Sequence, residues 1–170
     1  MTFKLFGTKI YVSYLFVSLL TLLLLYKDSQ ILALCLLYSF AHETGHIISM
    51  KLLGATLNEI KFMPFGIAIK TSDLSALSKL KQTIVLLSGV LINTVLLPLN
   101  FEINLALIMF NLLPIGNLDG GRILKLFVND KIHKIISIII LMPLMILFVK
   151  YQSITLFFTG VYLFLTLFLK

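Results

Sequence analysis

Two histidines and a glutamate lie within five residues of one another in a segment that is otherwise apolar. They are His42, Glu43 and His46, in the stretch SFAHETGHIISMK at residues 39–51. Successive residues of a helix advance by about 100°, so His46 projects about 40° away from His42, and Glu43 about 100° away. All three side chains therefore share one helix face. Two imidazoles at this spacing can ligate one zinc ion, and the glutamate beside them can act as general base toward a water molecule at the metal.

The composition around this motif is that of an integral membrane protein. Hydrophobic residues make up 59% of the 170 residues and charged residues only 12%, and the mean hydropathy is +1.07. Soluble domains carry about 25% charged residues, so an ordinary soluble domain is excluded. The net charge of +7 is explained by cationic residues in cytoplasmic loops. We therefore expect the lipid bilayer as the surroundings and no nucleic acid as a partner.

Six hydrophobic segments between short polar breaks predict an all-α membrane protein with about six transmembrane helices. The predicted spans are residues 10–26, 31–53, 82–99, 103–128, 135–149 and 154–169. Twelve of the 14 Lys and Arg residues fall on one side of this topology and two on the other, which places both termini in the cytoplasm. Lys4 and Lys9 before the first span resemble the start of a signal peptide, but no cleavage site follows, so we expect this helix to be retained.

The stretch between the second and third spans is the least helical part of the sequence. Residues 55–70 are rich in β-branched and aromatic residues, and Pro64, Phe65 and Gly66 form a turn signal. We expect a short β-hairpin there, close to the cytoplasmic surface. An ordinary loop is the alternative.

The histidine motif also has a structural interpretation, in which His42 and His46 are core histidines and Glu43 pairs with a lysine. Ionisable side chains inside a membrane span are costly, however, and by default indicate a functional site. Two of the three histidines and one of the seven acids fall in this one turn. At 1.5 Å per residue, His46 lies roughly 7 Å and His42 roughly 13 Å in from Lys51. The third histidine, His133, lies in a lysine-rich break and is predicted to be a solvated surface histidine.

A catalytic zinc ion takes three protein ligands and keeps one position open for water. The candidate for the third ligand is Asp119, in NLLPIGNLDGGR at residues 111–122. It follows a helix break at Pro114 and Gly116, and irregular backbone at membrane depth is tolerated only where it lines a cavity or is buried in protein. The alternative is an Asp-Gly turn, in which Asp119 caps a helix or pairs with Arg122.

Together, HETGH in the second span and NLLPIGNLDGG in the fourth resemble the site-2 proteases, the intramembrane zinc metalloproteases. That family pairs an HExxH helix with an N-x-x-P-x-x-x-L-D-G motif, which is matched by Asn111, Pro114, Leu118, Asp119 and Gly120. The resemblance implies that His42, His46 and Asp119 bind Zn2+. It also implies that Glu43 is the catalytic base and that Asn111 shapes the site, by hydrogen bonding to the substrate or to the tetrahedral oxyanion.

A finer resemblance concerns the segment FMPFGIAI at residues 62–69. It is similar to the strand-forming segment of the family's bacterial sporulation branch, the stage IV FB proteases, which cleave a membrane-tethered pro-sigma factor in the mother cell. The third span departs from the family's G-P-x-x-N pattern: Gly89 and Asn93 match it, but Val90 replaces the proline. The resemblance covers nearly the whole chain, and we expect one core domain over residues 1–170 without a PDZ or CBS domain, either as a minimal core or as a truncated chain.

The expected function is therefore hydrolysis of a peptide bond in a membrane-associated or single-span protein, near the cytoplasmic face. The expected setting is a bacterial cell membrane or outer forespore membrane, with inhibitory or regulatory membrane subunits as further partners. One alternative is a metal-ion transporter, which would more often show polar residues along successive spans or symmetric halves. The other is a non-catalytic pseudoprotease, which the complete HExxH motif and the aspartate disfavour.

Overall fold

The computed structural model describes residues 1–5, 8–25, 29–63, 66–71 and 74–150, with residues 160, 161, 163, 164 and 167. The elements are, in chain order, β1 (Thr2–Leu5), β2 (Thr8–Val12), α1 (Tyr14–Leu25), α2 (Ser29–Leu52), β3 (Leu57–Met63), β4 (Gly66–Thr71), a 3-10 turn (Leu74–Ala76), α3 (Lys79–Leu96), α4 (Phe101–Asn111), α5 (Asp119–Phe127) and α6 (Asp130–Lys150). The chain divides into two compact units, Met1–Leu107 and Ile108–Lys170.

The first unit contains a four-stranded sheet in the order β1-β2-β3-β4. The β3–β4 pair is antiparallel and confirms the predicted hairpin, although its turn residues 64 and 65 lie outside the described residues. The prediction that the first helix begins at residue 10 is wrong, because Thr8–Val12 pairs in parallel with β3. Parallel pairing needs a long crossover, and α1 and α2 supply it. Helix α1 begins only after Ser13, whose Oγ accepts a hydrogen bond from the amide of Phe16 at 3.0 Å.

The sheet packs against the helices through an aromatic contact. The ring of Phe62 on β3 lies 5.8 Å from the ring of Phe16 on α1 and 5.4 Å from that of Phe40 on α2, measured between centroids. The neighbouring residue Lys61 points to the opposite face, as alternation along a strand requires, where its Nζ lies 3.5 Å from the carboxylate of Glu59. The strands are thereby attached to the helix that carries the HETGH motif.

Helices α2 and α3 are the two described helices that are long and apolar enough to cross a membrane, over Gln30–Leu52 and Lys79–Leu96. They correspond to the predicted second and third spans. A Cβ atom at Gly45 of α2 would lie 2.6 Å from the carbonyl oxygen of Ser88 on α3, so the close approach requires glycine. The hydroxyls of Ser49 and Ser88 lie 2.8 Å apart across the same interface. Small residues of this kind let membrane helices pack closely.

The second unit contains the predicted interruption of the fourth span. Helix α4 ends at Asn111, and α5 begins at Asp119. The segment between them turns at Gly116, whose φ is 53°, and is anchored by Ile115, which is fully buried. Ile115 belongs to a core with Leu141, Leu163 and Leu167. The predicted sixth span, residues 154–169, falls largely outside the described residues.

The prediction of a solvated surface histidine at position 133 is wrong, because only 1% of His133 is exposed. Helix α6 begins at Asp130, five residues before the predicted span, and Asn129 caps it by accepting the amide of Ile132 at 2.8 Å. His133 is thereby brought into line with Ser137 and Leu141 at four-residue spacing, and all three are buried. The Ser137 hydroxyl donates to the carbonyl of Pro114 at 3.0 Å, so this buried row supports the helix break.

Candidate metal and catalytic site

The two histidines of HETGH converge on one point. His42 and His46 are 3% and 4% exposed, and their Nε2 atoms lie 3.2 Å apart. The rings meet edge to face, with centroids 4.8 Å apart and an interplanar angle of 85°. The predicted sharing of one helix face is therefore confirmed for His42 and His46, whose Nε2 atoms lie next to each other.

The backbone of α3 determines which nitrogen of His46 can bind a metal. Its Nδ1 lies 2.7 Å from the carbonyl oxygen of Val85. A carbonyl only accepts hydrogen bonds, so Nδ1 is the donor and carries the proton. The lone pair is then on Nε2, the nitrogen that faces His42. In metal sites, a backbone carbonyl that accepts the other ring N–H commonly orients the imidazole in this way.

The spacing of the two nitrogens fits a zinc ion. Tetrahedral ligands with Zn–N distances of about 2.0–2.1 Å lie about 3.3–3.4 Å from each other, and the observed Nε2–Nε2 distance is 3.2 Å. Imidazole nitrogens are among the preferred ligands of zinc. The separation of the two nitrogens is therefore close to that of two ligands of one zinc ion.

Gly89 of α3 leaves room beside these nitrogens. A Cβ atom at this position would lie 2.6 Å from Nε2 of His42 and 2.7 Å from Nε2 of His46, which is closer than real Cβ atoms approach. Only a glycine allows α3 to lie this close to the two rings. In the sequence, Gly89 only matches the family's third-span pattern and has no assigned role. Its contact with the two rings depends on the packing of α2 against α3, which the local sequence does not reveal.

Glu43 differs from the histidines in exposure. It follows His42 directly on α2, and its side chain is half-buried where the histidines are buried. A carboxylate at the margin of a buried histidine pair can meet both water and the reacting group, as a general base must. The role of Glu43 as catalytic base stays a prediction.

Asp119 lies in the second unit, as the first residue of α5, and is 6% exposed. The N-cap of this helix is Leu118, with no side-chain cap hydrogen bond, so Asp119 does not act as the N-cap. The alternative pairing with Arg122 has an N–O distance of 4.0 Å, and the Arg122 side chain is far more exposed. A carboxylate in the first turn is also stabilised by the helix dipole.

Two glycines after Asp119 allow α5 to begin where it does. A Cβ atom at Gly120 would clash with the carbonyl oxygen of Leu112, and one at Gly121 would lie 2.6 Å from the carbonyl oxygen of Ile115. The first turn of α5 therefore packs directly on the backbone of the helix break. Asn111, the other predicted residue of this motif, is the last residue of α4 and is half-buried.

Comparison with known proteins identifies a structural relative. The chain is similar to the site-2 protease from Methanocaldococcus jannaschii, with a TM-score of 0.68 over 98% of this chain and 93% of that chain, at 21% sequence identity. No protein-family model matches the sequence, and no curated protein matches it. The two proteins share a fold.

Proposed function

We propose that the protein is an intramembrane zinc metalloprotease of the site-2 type. The observation that carries this proposal is the buried histidine pair, with Nε2 atoms 3.2 Å apart and the Nδ1 atom of His46 bonded to the Val85 carbonyl. The pair lies on a helix long enough to cross a membrane, with Glu43 next to it. The fold shared with a site-2 protease supports the same conclusion.

Asp119 is proposed as the third protein ligand. A catalytic zinc site takes three such ligands, and the two histidines supply only two. Asp119 is a buried carboxylate at a helix break, which is costly inside a membrane protein unless it has a function. The proposed zinc site therefore combines His42 and His46 of the first unit with Asp119 of the second as its three protein ligands.

Each remaining residue has a role in peptide hydrolysis. When bound, zinc activates water and polarises a carbonyl group. Glu43 takes the proton from the attacking water and passes it to the leaving amine. Asn111 donates its side-chain N–H group to the developing oxyanion or to the substrate.

The proposed substrates are membrane-associated or single-span proteins that are cut near the cytoplasmic face. A peptide bond within a helix is shielded, so the substrate must be locally extended at the site. The resemblance of FMPFGIAI to the sporulation branch supports a membrane-tethered pro-sigma factor as one such substrate. The distribution of Lys and Arg supports six spans with both termini in the cytoplasm. Regulatory membrane subunits and a bacterial membrane location belong to this proposal as well.

A comparison of the wild-type protein with Glu43→Gln tests the proposal. Both are reconstituted in liposomes with a single-span model peptide that carries a helix-breaking Gly-Pro in its middle. The proposal predicts that Glu43→Gln keeps about one zinc ion per chain but loses cleavage by at least about 1,000-fold, because the base is gone and the ligands remain. Zinc transport that is unaffected by Glu43→Gln would favour the transporter. Zinc binding without cleavage in the wild type would favour the pseudoprotease.

A further inference from the structure

The most completely buried polar side chain near the histidine pair is Asn93 on α3. It is 0% exposed, and among the described residues neither its Oδ1 nor its Nδ2 atom has a hydrogen-bond partner. Asn93 lies four residues after Gly89, and both belong to the buried face of this helix. Four residues correspond to one turn, about 6 Å along the axis. The amide is therefore one turn away from the glycine that contacts both imidazoles.

A second asparagine shows what a structural role looks like in the same unit. Asn104 on α4 is also 0% exposed, but its Nδ2 donates to the carbonyls of Leu96 at 3.1 Å and Asn100 at 2.8 Å. These bonds tie the start of α4 to the end of α3, although the Oδ1 of Asn104 has no partner among the described residues. Asn93 makes no comparable bond to any residue that the structure describes. Buried polar groups are almost always hydrogen-bonded, so an amide with both ends unsatisfied calls for a ligand.

The chemistry of a carboxamide indicates what that ligand is. Its side-by-side donor and acceptor match the N–H and C=O groups of a peptide unit. A substrate that enters a membrane site in an extended form exposes such groups where no water can satisfy them. An unsatisfied amide in the site and unsatisfied peptide groups in the substrate therefore stabilise each other when they pair.

We propose that Asn93 binds the substrate backbone, through one hydrogen bond from its Nδ2 to a peptide carbonyl and one from a peptide N–H to its Oδ1. This inference rests on the proposed protease function and adds a substrate-binding residue to it. Asn93 contacts the substrate next to the histidine pair and holds it extended there. Because the bonds form with the main chain, they contribute to affinity without selecting a side chain.

The test replaces Asn93 with leucine, which has the same number of side-chain heavy atoms and the same branching but no polar atoms, and Asn104 with leucine as a matched control. Wild type and both variants are reconstituted with the single-span Gly-Pro peptide, and kcat, KM, zinc content and Tm are measured. For Asn93→Leu we expect a rise in KM of about 10-fold to 100-fold, with unchanged zinc content and an unchanged or higher Tm, since an unsatisfied amide is removed. For Asn104→Leu we expect a lower Tm and an unchanged KM.

A second variant, Asn93→Ala, removes the amide without adding a branched side chain and should raise KM in the same way. A wild-type KM in a zinc-bound Asn93 variant would overturn the inference and leave the protease function standing. A loss of Tm in Asn93→Leu as large as that in Asn104→Leu would also overturn it, because it would show that the Asn93 amide is bonded within the folded chain as that of Asn104 is. Failure of the wild-type protein to cleave the peptide would instead contradict the proposed function, and this inference with it.

Discussion

His42 and His46 are presented by one unbroken helix, whereas Asp119 begins a new helix after an irregular segment. The histidines are oriented by a helix neighbour: Gly89 admits the rings, and the Val85 carbonyl bonds Nδ1 of His46. Asp119 is positioned by close contacts between backbones, because the first turn of α5 packs on the carbonyl groups of the irregular segment before it. The orientation of the histidines depends on the space that α3 leaves for their rings, whereas the position of Asp119 depends on the backbone conformation of the break. Replacing a glycine with alanine should therefore have different consequences in the two regions.

The largest effect is expected from Gly120→Ala in the second region. The new Cβ would clash with the carbonyl oxygen of Leu112, and backbone cannot move aside as a side chain can. We expect a loss of at least about 2 kcal/mol in unfolding free energy, with loss of zinc, because α5 can no longer start at Asp119. Thermal unfolding and zinc content measure both effects.

Gly54→Ala is the control for Gly120→Ala. Gly54 has a φ of 85° and no atom within 4 Å of a new Cβ, so only backbone strain of about 1 kcal/mol is expected, with zinc retained. Equal losses of stability and zinc in the two variants would show that packing on the break is not what positions Asp119.

A narrower effect is expected from Gly89→Ala in the first region. Its Cβ would meet two imidazole rings rather than backbone, and rings can turn away. We expect zinc affinity to fall by about 10-fold to 100-fold, with a smaller loss of stability than in Gly120→Ala. Competition with a chelating dye measures the affinity. A Gly89→Ala protein with wild-type zinc affinity would contradict the role of α3 in shaping the site.

The smallest effect is expected from His133 on α6, the helix that supports the break between α4 and α5. Burial holds the pKa of His133 below its ordinary value, and the charge on Lys125 acts in the same direction, while Asp130 and a backbone hydrogen bond to Gly121 oppose them. The unfolded chain then binds the proton more readily than the folded one, so stability is present above about pH 6.5 and falls as the pH drops below it.

The variant His133→Asn isolates this contribution, because it removes the titrating ring while both proteins keep His42 and His46. Between pH 7.5 and 5.5 the Tm of the wild-type protein should fall further than that of His133→Asn. The same dependence of Tm on pH in both proteins would show that His133 does not contribute.

Local patterns predicted the features that depend on neighbours in sequence. The spacing of four in HETGH is enough to align His42 and His46, and the residues around Pro114 and Gly116 are enough to break a helix. The β3–β4 hairpin likewise follows from its own residue types. Each of these results depends on contacts within one turn or one hairpin.

The errors concern features that depend on distant contacts. Thr8–Val12 looks like the start of a span, but it pairs with a strand about 50 residues later, and the hydroxyl of Thr8 reaches the carbonyl of Leu57. His133 looks solvated among lysines, but the cap at Asn129 starts α6 early and buries it. The unsatisfied amide of Asn93 is likewise invisible in sequence, because a missing partner is a property of the whole fold.

The most direct test of the central claim is the zinc affinity of Asp119→Ala, measured beside wild type and Asp130→Ala. Asp130 is an exposed acid in the first turn of α6, so its loss controls for the removal of a carboxylate from the first turn of a helix in the same unit. If Asp119 is the third ligand, the wild type and Asp130→Ala each bind about one zinc ion tightly per chain, and the zinc affinity of Asp119→Ala is lower by at least about 100-fold. Wild-type zinc affinity in Asp119→Ala would show that Asp119 is not a zinc ligand.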